Sequence, residues 1–501
     1  MNFGKIYKGE TYWLTRFVYL RFLGLIYVCV FLPLIFQYQG LLGEKGLLPI
    51  SPYLERIKEY YGASFWWDLP TLFWLSQADP FALALAYLGL ILALVVLLGY
   101  ANSIILFTLW LLQLSFLHVG QTFWGFGWET NLLEIGFLSI FFAPFLNGKP
   151  FNKNYPPSKI IIWLFRWSLF RLMLGAGLIK IRGDACWTEL TCLNYHYLTQ
   201  PIPNPLSPFF HFLPEWFSKF SVLFNHFMEL VVPWFLIFSF RIRTLAGILF
   251  LIFQFSIIIT GNYAWINYLT LLMIIPCFDD RALKFMFPQK LLLKWQEVKG
   301  IKITNSLQKL TILLLLVFII VLSYQPLLNL LGPRQVMNTS YDQFHFVNSY
   351  GVFGSVTKKR HELIIMGTRD VEITPQTKWL EYEIPCKPGD PLIMPCIRSP
   401  YHYRLTWQIW FAAMGRQENS PWMAHLVYKL LIGEPSTLSL LGKNPFSDSP
   451  PKYIKVDKYL YTFKELGEKG WYNREYVEPY LPPMTKDNPQ LIKFLEGRGW
   501  H

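Results

Sequence analysis

The sequence predicts a polytopic α-helical membrane bundle of about nine spans followed by a non-cytoplasmic α+β domain. Three observations carry this expectation. Apolar runs near the length a bilayer requires recur through residues 1–331. Lys and Arg gather in alternate connections between those runs. Beyond residue 331 the pattern turns to mixed polar and apolar residues, which separates a transmembrane domain at 1–331 from a second domain at 332–501. Across the 501 residues, 53% are hydrophobic and only 15% charged, where soluble domains carry about 25% charge.

A membrane helix needs about 20 mostly apolar residues. The runs that approach this are 14–36, 80–99, 102–120, 129–147, 160–181, 219–240, 244–260, 262–278 and 308–331. The first is long, carries Arg16 and Arg21 and lacks a small-residue cleavage site, so it reads as a span rather than a leader. Its two arginines are expected to snorkel to the near membrane surface. Between the seventh and eighth runs, Gly261-Asn262 leaves a very tight turn.

Orientation follows from charge. With Lys5 and Lys8 on the cytoplasmic side, that face also receives Lys149, Lys153 and Lys159, then Arg241 and Arg243, then Arg281, Lys284, Lys290, Lys294, Lys299 and Lys302. An odd number of spans sends loop 182–218 and residues 332–501 to the other face. These loops are the simpler source of the net charge of +13; no basic helix or recognised fold points to nucleic acid, and the expected partner of this half is the lipid bilayer.

Of the six cysteines, Cys29 and Cys277 fall in apolar runs and read as buried small hydrophobes. Cys186, Cys192, Cys386 and Cys396 match neither a CxxC redox pair nor a zinc finger. Cys186/Cys192 and Cys386/Cys396 are either local disulfides, which require an oxidising compartment, or free thiols. Topology places all four of these on the non-cytoplasmic side, in keeping with the first reading.

In the second domain, strand-like stretches stand around 361–366, 379–384 and 453–463, and helical spacing around 404–413 and 420–432. Trp379, Trp407, Trp410 and Trp422 supply either its core or a partner surface. The Gln200–Pro205 run is extended or bent.

Ionisable residues at membrane depth cost several kcal/mol and are functional candidates. The fourth span begins Trp128-Glu129-Thr130-Asn131 and carries Glu134; the fifth carries Arg166, Arg171 and, at its outer end, Lys180; the sixth carries Asn225, His226 and Glu229. Asn225 and Glu229 are four residues apart and share a helix face. One expectation joins Lys180, Glu129, Asn131, Glu134, Asn225, His226 and Glu229 in a single polar cavity open to the non-cytoplasmic side. The other makes them internal ion pairs that hold helices together. Lys180 as a base would need a pKa lowered by burial, which nearby carboxylates oppose. No GxSxG elbow, Walker sequence or HExxH is present. His196, His211 and His226 are too widely spaced to assert a metal site. Asn338-Thr339-Ser340 is a glycosylation sequon on the proposed outer side.

Several motifs together resemble the lipase maturation factor family. They are Thr11–Arg16, Gly40–Pro49, Trp128–Glu134, Met173–Asp184, Cys186-Trp187, Leu190–Cys192, Tyr195–Tyr197, Gln200–Pro205, Asn225–Leu230, Gly261-Asn262, Asn267–Thr270, Phe346–Gly351 and Leu405–Ala413. The resemblance runs through most of the chain. It implies a chaperone-like factor that helps secreted lipases fold and assemble, resident in the endoplasmic reticulum membrane in animals, with client lipases or other secreted proteins as partners, and no cofactor. The same resemblance makes the surface around Trp407, Trp410 and Phe411 the client-facing candidate. The last residues, Gly499-Trp500-His501, are not a retrieval signal of the Lys-Asp-Glu-Leu kind, so a bacterial inner membrane stays open beside the endoplasmic reticulum.

A shorter stretch, Ala176–Lys180 with Gly183 and Trp187, is similar to the membrane domain of vitamin-K-dependent gamma-glutamyl carboxylases. That similarity implies an alternative, an enzyme in which Lys180 is the base acting on a reduced quinone. A non-catalytic membrane scaffold is the third reading.

Overall fold

A computed structural model describes residues 10–500; Lys5, Lys8 and His501 lie outside the described residues. Among the described residues, six helices are long and apolar enough to cross a bilayer: α1 (Trp13–Leu41), α2 (Asp79–Leu98), α5 (Lys159–Gly183), α6 with its continuation (Glu215–Ile237), α7 (Phe240–Thr260) and α9 with its continuation (Ser306–Leu331). The three other expected spans are helical and shorter. They are α3 (Ser103–Val119), α4 (Gly127–Phe142) and α8 (Ile266–Ile274, turning on to Cys277). With 16 residues, α4 reaches about 24 Å at 1.5 Å per residue, short of a hydrocarbon core of about 30 Å.

Local chemistry sets these limits. α4 stops at Phe142, one residue before Ala143-Pro144, and the residue before a proline is biased out of the helical region. α8 starts only at Ile266 because Gly261 is extended and Asn262 is bonded elsewhere, to the Ile202 and Cys396 carbonyls. Capping side chains start α3, α5 and α9: Asn102, Ser158 and Asn305 each accept a backbone N–H of the first turn. α1 and α2 pack closely at Gly24, where a Cβ would lie 2.5 Å from the Leu97 nitrogen, the small-residue contact typical of membrane helices.

The expected snorkelling of Arg16 gives way to burial. Arg16 is 1% exposed and donates to the carbonyls of Tyr155 and Pro150, so it ties α1 to the 148–159 loop instead of reaching for the surface. Arg21 is half-buried over the Phe17 ring and donates to the Phe17 carbonyl.

The C-terminal region is a four-stranded antiparallel sheet, ordered β2-β1-β3-β4, with two helices packed on it. The strands are β1 (Arg360–Thr368), β2 (Leu380–Glu381), β3 (Tyr453–Phe463) and β4 (Tyr472–Met484), and the helices α10 (Arg404–Met414) and α11 (Trp422–Leu431). Two differences from the sequence reading stand out. The 379–384 stretch pairs with β1 over only two residues, Leu380 and Glu381, while Glu383 bridges to Lys443 instead. β4 was not expected, because its Asn473-Arg474-Glu475 and Pro479, Pro482 and Pro483 do not resemble a strand; it is an edge, mostly exposed, where charge and proline are tolerated.

Candidate functional site at the junction of bundle and C-terminal domain

The candidate polar residues of the bundle do not meet in one cavity. Glu129, Glu134 and Lys180 each take a different partner, and helix geometry explains why the two carboxylates of α4 part. Glu129 and Glu134 are five residues apart on α4, which at 3.6 residues per turn points them about 140° apart.

Glu129 is fully buried and accepts from Arg404 Nη2 at 2.7 Å and from Gln113 Nε2 at 2.7 Å. Arg404 opens α10 in the C-terminal domain, so this pair spans the two regions. It also donates to the Phe123 carbonyl at 2.9 Å, and its guanidinium lies 3.8 Å from the centre of the Trp124 ring. Burial pushes the Arg404 guanidinium down from its usual pKa, and the Glu129 carboxylate opposes that shift. Gln37 of α1 completes the clasp, accepting from the Arg404 N–H at 3.0 Å and donating to the His402 carbonyl at 2.8 Å.

Glu134 faces the other way. One carboxylate oxygen takes Arg171 and Ser168 of α5; the other takes the Asn348 N–H at 3.0 Å and the Tyr350 hydroxyl at 2.7 Å. Arg171 also donates to the Asn348 carbonyl at 2.5 Å. The first segment of the C-terminal region is thus held by a carboxylate and a guanidinium of the bundle. Asn131, placed in the expected cavity, instead donates to the Met273 sulfur at 3.4 Å.

Lys180 pairs with neither Glu129 nor Glu134. Its ammonium donates to Glu229 Oε1 at 2.5 Å, and Asn225 donates to Glu229 Oε2 at 3.0 Å, the contact that their spacing of four predicts. Glu229 sits in a widened π-helical turn, Phe227–Val231. Pro233 accounts for the widening: its ring has no N–H and clashes with the carbonyl four residues back, that of Glu229. His226 points away from this group and meets the Trp187 carbonyl at 3.0 Å, next to the Cys186–Cys192 loop. Lys180, Asn225 and Glu229 line a cavity of about 300 Å³ whose other walls are mostly aromatic and aliphatic side chains, several of them phenylalanines. Lys180 Nζ is held by the Glu229 carboxylate, so to act as a base toward a reduced quinone it would first have to leave that partner. Among the described residues no group of three His, Cys, Asp or Glu is placed to hold a metal ion.

The aromatic candidates divide. Trp407 is 4% exposed and packs with Phe126, Trp128 and His402; its place is the core, not a client-facing surface. Trp410 is half-buried and donates to the Thr199 carbonyl at 3.0 Å. Phe411 alone of the three is exposed, at 42%. Cys186 pairs with Cys192 and Cys386 with Cys396, with Cα separations of 4.8 and 5.4 Å. The second disulfide loop is fastened to the bundle by Asn262, whose side chain donates to the Cys396 carbonyl and accepts the N–H groups of Arg398 and Ser399.

Arg404 was absent from the sequence-level candidates, as was Arg360, which donates to the carbonyls of Leu198, Gln200 and Pro201 while paired with Glu362. The signal available was an arginine at the first position of an apolar helix and another opening a buried strand. Each needs a partner carboxylate, and nearby sequence offers one only to Arg360.

Architecture and site define a class: a polytopic membrane protein whose second domain is seated on the helix bundle by the buried Arg404–Glu129 pair and by buried hydrogen bonds from Glu134 and Arg171. The chain belongs to the lipase maturation factor family. The family's transmembrane domain matches residues 14–285 and its C-terminal domain residues 346–482. The chain is 42% identical to lipase maturation factor 1 of Bos taurus, over 98% of this chain and 92% of that protein. It is 40% identical to lipase maturation factor 1 of Homo sapiens, over 98% and 91%. With lipase maturation factor 2 of Xenopus laevis the identity is 30%, over 97% and 84%. No solved structure matches the chain significantly.

Proposed function

We infer that this chain is a membrane-held maturation factor that assists the folding and assembly of lipases, working by binding rather than by a reaction. The observation that carries this reading is where the family motifs meet. Glu129 and Glu134 of the 128–134 motif are bonded to Arg404, which immediately precedes the 405–413 motif, and to Asn348 and Tyr350 of the 346–351 motif. Relatives called maturation factors match over both regions, and in this chain these motif residues fix one region to the other. A client-binding domain held rigidly at a membrane raises the local concentration of clients for pairing and needs only to bind a partly folded client more tightly than a finished one.

The finer topology belongs to the same proposal. All nine helices α1–α9 traverse or enter the bilayer, the short ones in the interior of the bundle. Residues 332–501 form the client-binding domain on the non-cytoplasmic side, in the endoplasmic reticulum of a eukaryote or at the inner membrane of a bacterium. Clients meet the edge where Phe411 and Met414 are exposed, at 42% and 38%.

Co-expression with a secreted lipase tests this. Phe411→Ser with Met414→Ser is expected to lower the yield of active lipase several-fold while the protein's own membrane abundance stays normal. Unchanged lipase yield would move the client surface elsewhere. The reading of Lys180 as a base meets the same assay: Lys180→Met combined with Glu229→Leu, which takes away both charges together, removes it if lipase yield stays full at normal abundance.

A further inference from the structure

Beyond the binding of clients, and independently of it, we propose that the bundle holds a partial acylglycerol, a mono- or diacylglycerol, in a passage between the bilayer and the underside of α10. The cavity beside Lys180 adjoins a second of about 300 Å³, and Leu172, His196, Tyr263, Ile266, Val352 and Phe353 line both. Each volume lies at the lower end of the range for ligand sites, about 300–1,000 Å³.

The two ends differ in chemistry. The first cavity is walled by Phe217, Phe220, Phe224 and Phe253. It opens between α6 and α7, where Phe220 is 59% and Ile259 48% exposed on helices whose apolar windows are only 33% buried. That mouth faces lipid and suits a hydrocarbon tail. The second cavity runs under Trp128, Asn131, Trp407 and Trp410. There, Trp128 Nε1, Trp407 Nε1, Asn131 Oδ1 and Gln200 Oε1 are buried without a hydrogen-bond partner, as is Gln254 Oε1 in the first. Buried polar atoms are nearly always paired. Two idle donors and three idle acceptors ask for a group that both accepts and donates, an ester carbonyl together with a hydroxyl.

Charge narrows the class further. The acidic and basic side chains on the two walls are Lys180 and Glu229, 2.5 Å apart and so mutually cancelled. A phosphate or a free carboxylate would enter without a counter-ion at a cost of several kcal/mol. His196, at the junction, is held neutral by burial, its pKa pushed down to about 4, with Lys180 adding to the shift.

The test uses the full chain in phosphatidylcholine nanodiscs with a monoacylglycerol probe that carries a photoreactive diazirine in its tail. Irradiation is expected to label the 217–224 and 253–257 segments, and excess unlabelled monoacylglycerol should abolish that label. Asn131→Leu keeps the volume and removes one polar partner, so capture should fall about five- to tenfold, the factor carried by one lost hydrogen bond. Ala176→Phe, which fills the tail cavity, should remove it. Label that resists competition in the native chain would overturn the proposal without recourse to any variant. So would equal labelling of the same segments by a diazirine-tailed phosphatidylcholine, or labelling only by an isoprenoid quinone probe.

Discussion

Two ion pairs in this molecule are alike in burial and unlike in surroundings. The side chains of Arg404 and Glu129 are 1% and 0% exposed, those of Lys180 and Glu229 6% and 6%. Around Arg404 the space is filled by the Trp124 ring, the Phe123 carbonyl and Gln113, which bonds the same carboxylate. Lys180 and Glu229 border a cavity. The first pair joins residues 275 apart in sequence and fastens one region to the other; the second joins α5 to the π turn after α6 and stays within the bundle. Buried charge in a membrane domain is therefore no guide to a ligand site by itself. The empty volume beside it and the idle hydrogen-bond groups around that volume are the better guide.

The most damaging way to break the contrast is Arg404→Ala. It leaves Glu129 buried without a counter-charge, a change that costs about 3–5 kcal/mol. It also strips the donors from the Phe123 carbonyl and the stack on Trp124. We expect the C-terminal domain to become sensitive to limited proteolysis and the protein's abundance in the membrane to drop sharply. Arg404→Met with Glu129→Leu, which removes both charges and keeps the volume, should recover most of the loss. Wild-type protease resistance in Arg404→Ala would show that the pair does not hold the domains together.

How much of this was legible follows from the range of the interactions. The long helices α1, α5 and α7 are visible because hydropathy is a local property. The ends of α4 and α8 depend on Pro144 and on the bonds that Asn262 makes to residues 396–399, and a sliding window registers neither. The Asn225–Glu229 contact was legible from helical spacing, and Glu129, Glu134, Lys180 and Glu229 from the expense of placing charge in a membrane. Their partners were not, since pairing is decided by which elements pack together. The assumption of one shared cavity failed for the simple reason that five residues on a helix turn through nearly half a circle.

A milder change sharpens the role of Arg404. Lysine keeps the positive charge and can reach Glu129, but it lacks the planar fork that serves Glu129 and the Phe123 carbonyl together while lying flat on Trp124. Arg404→Lys should therefore cost about 1–2 kcal/mol, the worth of one charged hydrogen bond and the stack. In a thermal melt of the purified protein it should fall between wild type and Arg404→Ala. A melt equal to that of Arg404→Ala would mean that geometry, not charge, carries the whole effect.

The smallest effect is expected at the other pair. Lys180→Met with Glu229→Leu replaces two charges by apolar groups of similar volume beside a cavity with phenylalanine walls, and such replacements are often neutral or stabilising. Asn225 loses its acceptor, but it is only half-buried and keeps access to the cavity. We expect a thermal midpoint near that of wild type, in contrast to Lys180→Met alone, where Glu229 is left buried without a counter-charge and the cost is again about 3–5 kcal/mol. Because the double variant keeps the helices packed, any loss of lipase yield or of acylglycerol capture in it reports on the cavity itself. A double variant as unstable as the single one would mean that the pair locks α5 to the π turn just as Arg404 locks the domains, and the distinction between the two pairs would then disappear.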